Sequence, residues 1–129
     1  PVPEGKLLDG VSLMPLLTQS GTIADRVLYW HFPVYLLAYA GIGDDSHDPL
    51  FRTRPGSALR SGQWKLHEYF EDGRIELYDL EADTGERTNL ASAHPEKAAE
   101  LHAVLKQWRK QTNAPVPTEL NPAYDPGPE

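Results

Sequence analysis

Apolar and polar positions alternate most regularly between Ser57 and Leu80, SALRSGQWKLHEYFEDGRIELYDL. Trp64, Leu66 and Phe70 fall on one face, and Lys65, His67 and Tyr69 on the other, the period-2 signature of a half-buried strand. Asp72-Gly73 marks a tight hairpin turn, and beyond it Ile75 and Leu77 share a face with Glu76, Tyr78 and Leu80 opposite. A two-residue turn sets Phe70 against Ile75 and keeps the apolar faces in agreement. With SALR as a first strand, the stretch predicts a three-stranded antiparallel meander whose inward residues are Trp64, Leu66, Phe70, Ile75 and Leu77.

A period of 3.6 takes over further along. Ala98, Leu101, Leu105 and Trp108 recur at three- and four-residue spacing, with Ser92 as N-cap and Pro95 in the first turn. Glu96 and Glu100 near the start and Lys106, Arg109 and Lys110 near the end complement the helix dipole. A sheet this small needs a cover, and this helix supplies it. Upstream, Ser12 begins a short helix carrying Leu13, Leu16 and Leu17, ending near Gly21. RVLYWHF (26–32) reads as a strand covered on both faces and stopped by Pro33. For VYLLAYAG, periodicity leaves a helical turn and an extended segment equally open. The expected fold class is therefore α+β: a small antiparallel sheet of three to four strands packed against one long C-terminal amphipathic helix, with irregular proline-rich ends. Residues 1–129 form a single domain, with a linker at 1–11, a flexible loop at 41–56 and an extended tail at 113–129.

Composition narrows the partners. Twelve basic against nineteen acidic residues give a net charge of −7, and no basic stripe points to nucleic acid. Arg52, Arg54 and Arg60 cluster, but Asp44, Asp45 and Asp48 precede them, so an anionic membrane is not expected either. No apolar run approaches the length of a spanning helix. There is no cysteine, hence no disulfide, thiolate metal site or cysteine nucleophile. The opening PVPEG lacks a methionine and a signal peptide, which suggests sequence upstream.

Candidate chemistry is sparse. The five histidines, His31, His47, His67, His94 and His102, show no H-x-x-x-H or H-x-H pairing, so no metal site is expected. Asp44, Asp45 and Asp48 lack the spacing and closing glutamate of an EF-hand and read as a solvated loop. His94 and His102 read as solvated, and His67 as structural or surface. His31 stands out: it sits at a strand end leading into a loop, with Tyr35 nearby, where binding groups are commonly mounted. A buried, hydrogen-bonded histidine is the competing reading.

Taken in order, LDGVSLMPLL, LYWHFPVY and SALRSGQWKLHEYFEDGRIELYDLEADTGERTNLA, with the NPAYD tail, resemble the C-terminal portion of formylglycine-dependent sulfatases of the alkaline-phosphatase-like superfamily, over roughly residues 7–125. In that family a large α/β domain carries a formylglycine made from Cys or Ser in C/S-x-P/A-x-R, beside a calcium ion, and a C-terminal subdomain borders the cleft. No serine here begins such a run; Ser57-Ala58-Leu59-Arg60 has neither the spacing nor the Pro or Ala. The resemblance thus implies a sulfatase parent acting on a sulfate ester, with calcium and formylglycine in the parent and no catalytic residue or cofactor in this chain. It also implies His31 and Tyr35 as substrate contacts, structural roles for Trp64, Lys65, Tyr78 and Asn89, and a periplasmic or secreted location. Leu13, Leu16, Leu17, Val27 and Leu28 are expected to dock on the missing N-terminal catalytic domain or to self-associate. A freestanding binding module is the alternative, and a stand-alone hydrolase a third reading that lacks a nucleophile.

Overall fold

The computed structural model describes residues 5, 10–37 and 51–119. Helix α1 (Met14–Leu17) is followed by β1 (Leu28–Phe32), β2 (Leu36–Leu37), β3 (Phe51–Thr53), β4 (Gly56–Ser61), β5 (Trp64–Tyr69), β6 (Ile75–Asp79) and α2 (Pro95–Thr112). Strands β1-β4-β5-β6 form one antiparallel sheet in that order, and β2 and β3 pair separately. The expected α+β fold, a four-stranded sheet under one long helix, is what the chain adopts.

The core follows from the two periodicities meeting. Leu59, Leu66 and Leu77 lie side by side across β4, β5 and β6 and have no exposed surface. Ala98, Leu101 and Leu105 of α2 close over them, with Val27, Tyr29, Trp64, Ile75, Ala91, Val104 and Trp108 at the margin. Tyr29 stacks flat on Trp108 with ring centroids 4.6 Å apart. Burying side chains of this size contributes about 1.5–3 kcal/mol each.

Several local expectations shift. The β5–β6 register pairs Glu68 with Ile75, and Tyr69 N–H bonds to the Arg74 carbonyl. Residues 70–73 therefore make the connection, and Phe70 does not oppose Ile75. The loop is set by Asp72, whose carboxylate accepts from Arg74 N–H, and by Gly73 at φ +70°. Phe70 still faces the helix, because its N–H is drawn to the Pro55 carbonyl and its ring lies 5.2 Å from the Arg109 guanidinium. The α2 cap is His94 rather than Ser92, without a side-chain hydrogen bond. The chain instead turns on backbone bonds from Ala93 and His94 to the Leu90 carbonyl, and Pro95 starts the helix. α1 is a single turn with Leu13 as its cap, although Ser12 Oγ accepts from Met14 N–H.

β1 is an edge strand, and its outward residues Trp30 and Phe32 are exposed, so the described residues do not cover both faces. Aromatic residues on both sides of the strand hid the alternation. The 34–37 segment is extended, ending in β2. The loop expected over 41–56 gives way at Phe51 to β3 and at Gly56 to β4; Asp44, Asp45 and Asp48 lie outside the described residues.

Candidate functional site

With α2 on one face of the sheet, the other face carries the second residue of each alternation. On its β5–β6 half, polar side chains satisfy one another. Glu86 places one carboxylate oxygen 2.5 Å from Lys65 Nζ and the other 2.8 Å from His67 Nε2. Glu76 accepts from the hydroxyls of Tyr78 at 2.9 Å and Tyr69 at 3.3 Å, and Arg74 lies 3.3 Å away. Arg74 also covers the Tyr69 ring at 4.4 Å.

These neighbours set the protonation states. Burial, then Lys65, push the His67 imidazole below its ordinary value despite Glu86, so the ring is held neutral. Burial works against the charged Glu86 as well, but the bonds and charges of Lys65 and His67 together outweigh it and lower that carboxyl. Burial and Glu76 raise Tyr69 to about 12, and burial with the Glu76 hydrogen bond raises Tyr78 also.

The loop that delivers Glu86 is built from side-chain caps. Asp79 accepts from the N–H groups of Glu81 and Ala82, Asp83 from those of Arg87 and Thr88, and Asn89 from Leu77 and Ala91. Glu86 itself adopts a left-handed φ of +54°, uncommon for a residue with a side chain. The Leu90 N–H to Leu77 carbonyl bond and Asn89 then cap the β6 edge.

Between this network and β1 lies a recess of about 370 Å³. Trp30 and Phe32 form its aromatic wall, Gly56 and Ala58 its floor, and Arg52, Arg54, Lys65 and His67 its basic side. Gly56 is required by space: a Cβ there would stand 2.6 Å from the Glu68 carbonyl oxygen. Arg54 pairs with Glu71 and lies over the Phe51 ring.

The two expected binding residues are not placed alike. His31 points under α2: Nε2 lies 2.8 Å from the Pro115 carbonyl and Nδ1 2.8 Å from Ser57 Oγ. Nε2 must carry the proton, since a carbonyl only accepts, so Nδ1 accepts from the Ser57 hydroxyl. Phe70 and Trp108 flank the ring. Tyr35 lies beyond Pro33, half-exposed, with its ring 4.8 Å from Phe51. Ser57 and His31 stand at the distance of a nucleophile and its base, yet Ser57 is only 4% exposed and its partner's second nitrogen is committed. That pair holds structure. His102, expected to be solvated, instead lies 3.1 Å from Glu68, which also meets Arg109 at 2.5 Å. The facing atoms are buried without hydrogen-bond geometry, so Glu68 and Arg109 meet as close charges with the His102 ring beside them. Burial raises the Glu68 carboxyl, but Arg109 and His102 together hold it below its usual value.

Sequence reasoning placed His67 on the correct face and missed its partner, which lies 19 residues away in a loop. The available signal was the run of turn-forming Asp, Gly and Asn around Glu86. Among the described residues no group of three or more His, Asp or Glu side chains fits a metal ion, and no helix is long and apolar enough to cross a membrane.

No family model matches the chain. It is 29% identical over 128 residues to a sulfatase from Formosa agariphila, covering 90% of this chain and 21% of that protein. A putative sulfatase from Bacteroides thetaiotaomicron superposes over 95% of the chain with a TM-score of 0.60 and 27% identity. A 2-O GAG sulfatase, BT1596, covers 88% at 0.55 and 30%. BT4656, solved with its substrate D-glucosamine-2-N,6-O-disulfate, covers 94% at 0.59 and 26%. The chain spans 22–24% of those three structures. In sequence and fold the chain is similar to sulfatases over nearly its whole length, and it spans about a fifth to a quarter of theirs.

Proposed function

We propose that this chain is the C-terminal part of a sulfatase, and that it borders the active-site cleft while the remainder of the protein hydrolyses the sulfate ester. One observation carries the reading: a sequence match over nine-tenths of this chain and only 21% of the sulfatase from Formosa agariphila. The absence of C/S-x-P/A-x-R from the sequence supports the same division of labour. In this reading formylglycine and calcium belong to the part outside this chain, and no step of the hydrolysis is assigned to residues here.

The substrate class we infer is a sulfated sugar, in line with the substrates named for BT1596 and BT4656. The chain's contribution is shape and charge at the border of the cleft. Tyr35, half-exposed beyond β1, is the better placed of the two expected contacts; His31 serves by holding β1 to the tail. A periplasmic or secreted location follows from the same family reading.

The test has two arms. Sequence upstream of Pro1 should contain C/S-x-P/A-x-R, and its absence would sink the proposal. The 129-residue chain alone should not turn over an aryl sulfate, whereas the longer protein should; turnover by the chain alone would refute the division of labour.

A further inference from the structure

The sheet has one covered face and one that is half closed. Under α2 everything is packed. On the outer face, the β5–β6 half is sealed by the Lys65 and His67 bonds to Glu86 and the tyrosine bonds to Glu76. The β1–β4 half is different. Trp30 is 50% exposed and Phe32 42%, and both line the recess above Gly56 and Ala58. Two neighbouring aromatic side chains on a small sheet form a continuous apolar surface of the kind that marks a contact site.

Of Val27 and Leu28, both expected to dock, Leu28 lies on that outer face, paired with Arg60 two residues before Trp30. Val27 packs against the core, and Leu28 is partly buried. The short floor residues matter equally: with Gly56 and Ala58 between the aromatic wall and Lys65, the recess has room for an inserted side chain.

We propose that the β1–β4 half of the outer sheet face, centred on Trp30 and Phe32, is where the remainder of the sulfatase polypeptide seats, with an apolar side chain of it entering the recess. This rests on the preceding proposal that the chain is part of a longer sulfatase. The occupant follows from lengths. The matched sulfatases extend over four to five times this span, and a sheet with one uncovered aromatic half calls for a second layer.

Oxidative footprinting of the longer protein, read by mass spectrometry, tests the seat. Trp30 is the most exposed of the three tryptophans in the structure, with Trp64 and Trp108 partly buried. In the longer protein the order should invert, and Trp30 should be the least oxidised, several-fold below its rate in a denatured control. Trp30→Asp should lower the melting temperature of the longer protein by several degrees and restore Phe32 labelling. If Trp30 remains the most oxidised residue, the seat is wrong. Protection that grows with protein concentration, matched by dimers in sedimentation, would assign the face to a second copy and overturn the proposal. Sulfatase turnover by the same preparation separates the outcomes: activity with an exposed Trp30 overturns only the seat, and inactivity together with absence of C/S-x-P/A-x-R overturns the reading beneath it.

Discussion

Glu86 shows how one side chain can organise a face of this sheet. Its left-handed backbone directs a single carboxylate at both Lys65 and His67, and the cost of that conformation is met by the Asp83 bonds just beyond it. The protonation states have a consequence for acid stability. The folded protein prefers neutral His67, so its pKa lies below the ordinary 6.5. The unfolded chain therefore takes up this proton first, and stability falls as pH drops from about 6.5 through the folded value. Glu86, depressed from 4.5, adds a second loss at lower pH. His67→Gln should remove the first of these losses, flattening the urea midpoint between pH 6.5 and the onset of the Glu86 loss. An unchanged slope would place the acid sensitivity elsewhere. Little of this was legible beforehand. Alternation fixes which face a residue occupies, whereas a loop residue's partner depends on turn geometry that the sequence encodes only through Asp79, Asp83 and Asn89.

Among the elements, α2 and the β4–β6 meander were the most legible, because their apolar periods are long and unbroken. Register was not. Turn composition announced a hairpin at Asp72-Gly73, but the number of residues in it depended on Phe70 bonding to Pro55, the residue just before β4. The Ser92 cap failed similarly, since Leu90 gathers the turn first. Glycine separates two mechanisms that composition alone merges. Gly62 sits at φ +58° in open space, while Gly56 has ordinary φ but no room for a Cβ. Gly56→Ala should therefore destabilise by about 1–3 kcal/mol through displacement of the β4–β5 ladder. Gly62→Asn, which tolerates the left-handed region, should cost well under about 1 kcal/mol. Equal losses in chemical denaturation would contradict the steric account.

For the molecule as a whole, the charged contact of Glu68 with Arg109, beside His102, fixes how helix and sheet are joined. Leucines at these faces can slide past one another; a charge within the interface cannot move away from its counterion without penalty. Arg109→Met should destabilise by about 3 kcal/mol, because Glu68 keeps its charge at the interface with a weakened set of partners. Joining it with Glu68→Leu should recover most of that loss, a coupling that two independent sites would not show. The sequence displayed Arg109 as a dipole-complementing terminal cation, and no pattern in it singled out Glu68. Only their meeting across the fold converts them into one feature.

The tie from His31 to Pro115 bears on the order in which the chain assembles. It joins residues 84 positions apart, whereas β4, β5 and β6 are neighbours in sequence joined by short turns. Closing a loop of that span costs far more chain entropy than forming the meander. The meander and α2 can thus gather early, and β1 gains its last partner only when the segment after Asn113 has been made. Among the strands of this four-stranded sheet, β1 is the first to emerge during synthesis and the last to be secured.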